Sequence, residues 1–288
     1  MKRFSLFLIL FSIVLTISAR NTAGPINCLA VFQKGDTVSY AIHRTNYLLK
    51  TPKDTTFLMN DFAVLQLAVL DANNQGCHLT ADYLEDPHLK GIHIDMKLDR
   101  WGRVVAINNW KALALQLKKV YSSMIGDIYG KKDLSKVMTQ QQMNGMVGKL
   151  LTSEEAVREN FTDLTQLFAF YGLQFDNGWK KKDSNEGGYK QHQETYATLQ
   201  QATALAPSSV HRSAAAGLHD YIVGTYTTMT VPANDAPEGK ELVTKHSQEN
   251  SYFFNGWVKK STYGEVVSQS GKPVNGMTTV IEWWKRNW

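Results

Sequence analysis

Eight histidines and two cysteines are the first side chains to weigh for metal or nucleophile chemistry. His88 and His93 lie near each other. His211 and His219 are eight apart, which on a helix separates them by two turns, too far for one metal ion. No HExxH, GxSxG or Gly-rich phosphate loop occurs in the sequence, so the common hydrolase and nucleotide signatures are missing. Asp95 and Asp99 share one face of an alternating segment, but strand spacing holds their carboxylates too far apart for an acid–base pair. The expectation is polar or core roles for the histidines and exposed charge for the two aspartates. It includes no catalytic residue, no metal, no cofactor and no enzymatic activity.

Apolar chemistry is better represented. Trp110, Leu113, Leu117 and Tyr121 fall on one helical stripe. Met124, Met138, Met143 and Met146 concentrate in two adjoining helical stretches, and Met adapts to irregular apolar partners. Phe161 sits on a third stripe with Val157, Leu164 and Phe168. Trp110, Leu113, Leu117, Met138 and Phe161 are therefore candidate lining residues of a pocket for a lipid-like ligand. Ordinary core packing is the competing reading of the same residues. Asn160-Phe161-Thr162 matches a glycosylation sequon, but Phe161 belongs to the apolar stripe, so the sequon is expected to stay unused.

The elements that must position these residues centre on residues 92–124. Ile92, Ile94, Met96 and Leu98 alternate with polar residues, the period of a half-buried strand. Asp99-Arg100-Trp101-Gly102 is turn chemistry. Residues 104–107 resume a strand, and Asn109 is placed to cap the helix that follows. Upstream, strands are expected over residues 35–44, 55–70, 77–84 and 91–99, joined by short turns as an antiparallel meander. Downstream, helices are expected over 133–151 and from 154 towards Gly172, the latter opened by a Thr152–Glu155 capping box. Residues 176–188 read as an exposed loop and 191–206 as a weaker helix. Strand patterns return over 221–231, 241–248, 252–258 and 277–285, with Asn255-Gly256 suited to a type I′ hairpin turn. Phe175-Asp176-Asn177-Gly178-Trp179 echoes Phe254-Asn255-Gly256-Trp257, as two similar turns would. The fold class is thus α+β: a curved antiparallel sheet, an open half-barrel, with three to four helices on its concave face.

Lys2 and Arg3 precede an uncharged apolar run, and small residues follow, the layout of a secretory signal peptide over residues 1–19. The run falls short of the ~20 residues that span a bilayer. Residues 20–288 then form one domain. Cleavage would remove two of the 31 basic residues and none of the 26 acidic ones. The Lys-Lys and Lys-Lys-Lys runs are short and scattered, so solvated surface rather than a nucleic-acid partner is expected. In an exported chain the pair Cys28 and Cys77 suggests a disulfide. Closing that loop would add ~3–4 kcal/mol in a chain-entropy model.

The segments DRWGRVVAINNW (residues 99–110) and FFNGWVKKST (residues 253–262) resemble an uncharacterised family of exported proteins from Bacteroidetes-type bacteria. That resemblance implies no known activity. The order of long strands, helices and strands is also similar to the open half-barrel of lipoprotein carriers such as LolA and LppX. This architectural likeness implies an acyl chain or other apolar ligand held between sheet and helices. Two functions stay open: a periplasmic or secreted non-enzymatic binding protein, and an envelope structural or protein-interaction module with a packed core. The aromatic C-terminus also permits an outer-membrane barrel strand, against which the amphipathic helices argue.

Overall fold

The computed structural model describes residues 24–51, 54–131, 139–186, 189–201, 219–233, 235–236 and 239–284. The segment expected to be a signal peptide lies outside these residues, as do Met138 and the Ala-rich stretch before Leu218.

Among the described residues, eleven strands form one unclosed antiparallel sheet, curved into an open α+β half-barrel with four helices. The strands are β2 (Thr37–Thr51), β3 (Asp54–Asn73), β4 (Gly76–Glu85), β5 (His93–Asp99), β6 (Val104–Ile107), β8 (Gly178–Glu186), β9 (Tyr189–Gln201), β10 (His219–Val231), β11 (Leu242–Tyr252), β12 (Val258–Gln269) and β13 (Lys272–Trp283). Their order across the sheet is β6-β5-β4-β3-β2-β13-β12-β11-β10-β9-β8. Two meanders are therefore joined where the first long strand meets the last, with Ile42 opposite Ile281. A separate two-stranded pair joins β1 (Ile26–Asn27) to β7 (Gln174–Phe175). The helices are α1 (Trp110–Lys131), α2 (Gln140–Leu150), α3 (Glu154–Arg158) and α4 (Thr162–Phe168).

The core follows the period-two rule. Val38, Tyr40 and Ile42 on β2 face inward, in register with Leu67, Leu65 and Ala63 on β3. All six side chains are buried. Ile94, Met96 and Leu98 continue that face across β5. Leu113 and Leu117 of α1 and Leu164 and Leu167 of α4 belong to the same apolar cluster. Burying such a side chain removes apolar area from water, worth roughly 1.5–3 kcal/mol each.

Several expectations are corrected. The loop expected over 176–188 contains strand β8, and the helix expected over 191–206 is strand β9 as far as Gln201. Both faces of these strands are wet, so neither carries a clean alternation. The helix expected over 154–172 is two short helices, broken at residues 159–161. Its cap is Ser153, whose Oγ accepts the Ala156 N–H at 3.1 Å, not Thr152. Asn109 does not cap α1 with its side chain; instead it accepts the Asp95 N–H and donates to the His93 carbonyl, pinning α1 to β5. The 253–257 turn has a positive φ at Gly256 and at none of its other residues, so it is not type I′. The Gly256 N–H bonds to the Phe253 carbonyl and the Phe253 N–H to the Trp257 carbonyl. That is a three-residue loop closed by a glycine bulge. Cys28 and Cys77 are free thiols, not a disulfide. Cys28 is held by backbone bonds to Gly172 and Leu173, while Cys77 lies across from Leu98 on β5.

Candidate functional site

The candidate site is an apolar cavity of about 380 Å³ beside the short edge strand β6. Met96 and Ile107, paired across β5 and β6, form one wall. Phe161, Leu164 and Phe168, from the start and body of α4, form the other. Tyr171 closes the floor, and Arg103, Arg158, Thr165, Ala169 and Leu173 also line the cavity. The walls and floor are buried, whereas Arg103, Thr165, Ala169 and Leu173 are exposed. The volume is near the lower end of the ~300–1,000 Å³ typical of small-ligand pockets.

Two local arrangements build this cavity. The first is the β5–β6 turn. The Asp99 carboxylate accepts the backbone N–H groups of Trp101 and Arg103 through Oδ1. Its Oδ2 accepts Arg103 Nε at 2.7 Å. Burial raises the Asp99 pKa, but the bonds from Arg103 and Trp101 outweigh it and leave the carboxyl below its ordinary value. The turn then interlocks with the segment after α4 through two glycines of positive φ, Gly102 and Gly172. A Cβ on Gly102 would lie 2.6 Å from the Ala30 Cβ and 3.0 Å from the Tyr171 ring. A Cβ on Gly172 would lie 2.9 Å from the Arg103 side chain. Glycine thus lets the Arg103 stem cross Gly172 and arrive at the cavity mouth.

The second arrangement sits behind Phe161. Arg44 extends the inward face of β2 and meets two buried carboxylates. Its Nη1 donates to Asp86 Oδ2 at 2.8 Å and its Nε to Asp163 Oδ1 at 3.1 Å. A further bond runs from Nη2 to Asp163 Oδ2. Burial opposes the Arg44 charge, but the two carboxylates outweigh burial and raise its pKa. Tyr83 donates to Asp163 Oδ2 at 3.0 Å. Burial and the Asp163 charge push the Tyr83 phenol well above its ordinary pKa, so it stays a donor. The Tyr83 ring stacks against Phe161, with centroids 6.2 Å apart. This cluster fixes the start of α4 and hence one cavity wall.

The far end of α4 is held by amides. Gln166 Nε2 donates to Ser261 Oγ at 3.0 Å. Asn250 Nδ2 donates to the Gln166 and Leu167 carbonyls. Ser261 returns a bond to Asn250 Oδ1. Tyr171 donates to the Gly256 carbonyl at 2.5 Å. Its ring packs with Phe168, Phe32 and Tyr252 at centroid distances of 5.6, 5.7 and 5.6 Å.

The residues singled out from sequence separate. Phe161 lines the cavity. Leu113 and Leu117 are buried in the core, and Trp110 is half-buried against it, none of them in the lining. Met138 lies outside the described residues. Asp95 pairs with His78, and Asp82 with His93, on the sheet's outer face. Among the described residues no three His, Cys, Asp or Glu side chains gather as a metal site. Asn160 of the sequon is occupied internally, donating to the Ala156 carbonyl at 2.6 Å and accepting from Tyr121.

Sequence reading passed over Arg44, Asp86, Asp163, Arg103 and Arg158. A signal existed for Arg44, which falls in phase with Val38, Tyr40 and Ile42. A charge on the buried face of a strand needs a buried partner.

No family model matches this chain, and no curated protein matches it. Neither comparison supports the resemblance to a Bacteroidetes-type exported family. Two solved structures align over most of the chain. One is OmpTdeltaL8, a loop L8 deletion mutant of the outer membrane protein OmpT of Vibrio cholerae. It is 10% identical with a TM-score of 0.20, covering 88% of this chain and 100% of that one. The other is an outer membrane lipoprotein-sorting protein domain from Vibrio parahaemolyticus. It is 9% identical with a TM-score of 0.15, covering 86% and 84%. Scores this low carry no argument about fold or function.

Proposed function

We propose that this is an exported, non-enzymatic protein that binds a lipid-like apolar ligand in the cavity beside β6. One observation carries the reading: a cavity of about 380 Å³ whose walls are Met96, Ile107, Phe161, Leu164 and Phe168. The cavity is half open to solvent, so its apolar wall can be reached by a ligand from outside. An apolar cavity of such volume gains free energy by admitting an apolar guest.

A second reading, a structural or interaction module without ligand, has its own support. The space between α1 and the sheet is filled, with Leu113 and Leu117 at 0% and 1% exposure. Titration with dodecanol, followed by calorimetry, tests the two. The binding reading expects saturable one-to-one uptake. It further expects Ala169→Trp, a substitution at an exposed lining position, to weaken that uptake about tenfold or more while leaving stability within ~0.5 kcal/mol. No uptake by the unsubstituted protein would leave the structural module standing.

A further inference from the structure

Resting on the binding reading above, we propose that the ligand is a single acyl chain ending in an anionic head, seated tail-inward with its head at Arg158. The lining of the cavity is asymmetric in charge. It contains two arginines, Arg103 and Arg158, and no aspartate or glutamate. Arg103 is already engaged, since its Nε and Nη2 both reach Asp99 Oδ2 at 2.7 Å. Arg158 closes α3 and is half-buried. Among the described residues no carboxylate pairs with its guanidinium.

An arginine held at the edge of an apolar cavity presents five N–H donors in a planar fork and stays charged. A carboxylate or phosphate matches that fork; a hydroxyl uses one donor and leaves the charge uncompensated. Thr165, exposed on the lining, donates its hydroxyl to the Phe161 carbonyl at 3.4 Å, which leaves Arg158 as the donor for the head. The buried side opposite offers rings and aliphatic groups, which suit a hydrocarbon tail. The modest volume favours one chain over two. Head and tail preferences thus come from different residues of one cavity, and they can be separated by experiment.

The test compares laurate, dodecyl phosphate and dodecanol, which share a tail and differ in head. Each is titrated calorimetrically into the full protein, and into Arg158→Gln and the surface control Lys111→Gln. The expected result is that the better anion binds about tenfold more tightly than dodecanol, the gain of one charge-assisted interaction at a partly exposed site. Arg158→Gln removes that preference, bringing the anions to the affinity of dodecanol; Lys111→Gln keeps it. Tighter binding of laurate assigns a carboxylate head, and tighter binding of dodecyl phosphate assigns a phosphate head. Equal binding of all three by the unsubstituted protein overturns the head-group assignment while the cavity reading survives. So does a preference that persists in Arg158→Gln. Failure of all three to bind overturns both.

Discussion

Single side chains set the cavity's geometry through charge. Arg44 is the partner of both Asp86 and Asp163, whose side chains are 1% and 3% exposed. Arg44→Met would leave two carboxylates buried without a counter-charge. The expected loss is ~3–5 kcal/mol in urea denaturation, the usual consequence of removing one member of a buried pair. A loss below ~1 kcal/mol would show that the carboxylates find water or protonate cheaply. Asp99 gives a pH-dependent case. Its folded pKa is lowered, the bonds from Arg103 and Trp101 outweighing burial. Its contribution is therefore complete above the unfolded value of ~3.9 and disappears as pH falls through the lower folded value. Asp99→Asn is expected to cost about 1–2 kcal/mol near neutral pH, from the lost ion pair and weakened turn. That gap should narrow below about pH 4. A gap that widens on acidification would contradict the assignment.

At the scale of elements, the structure depends on turns and latches more than on helix propensity. Gly256 has φ 83°, and a Cβ there would lie 2.1 Å from the Leu29 carbonyl oxygen. Gly256→Ala combines an unfavourable φ with a backbone clash. It should cost more than the ~1–3 kcal/mol of strained backbone alone, read as a shift in thermal midpoint. The same hairpin supplies the carbonyl that receives Tyr171, so its distortion reaches the cavity floor. Elements with one wet and one dry face were legible in sequence. Residues 104–107 are β6 as expected, and the strand expected at 91–99 is β5 over His93–Asp99. Strand β9 was not legible, because Ala197 is its single buried residue. Its identity comes from pairing with β8 and β10, which one segment's own pattern does not contain. The cavity was legible only in part. Phe161 announced itself by its stripe. Arg103 and Arg158 depend on which loops the chain brings together, through Gly102 and Gly172, and no local periodicity encodes that.

The whole molecule is an open sheet, and its two free edges differ. On β6, the Ile107 N–H is bonded by the Glu154 carboxylate at 2.7 Å, so α3 is tied to that edge. On β8, Lys180, Lys181 and Lys182 crowd the outer strand, a common device against edge-to-edge pairing. The cavity lies at the tied edge, between β5–β6 and α4, and α1 contributes none of its lining. The long helix is consumed in packing, and α3, α4 and the following turn frame the space that remains. The most direct measurement is a crystal structure grown with a terminally brominated dodecanol, located by the anomalous signal of bromine. The account predicts one bromine peak among Met96, Phe161, Phe168 and Tyr171. A peak between α1 and the sheet beside Leu113 and Leu117, or an empty cavity at saturating ligand, would contradict it.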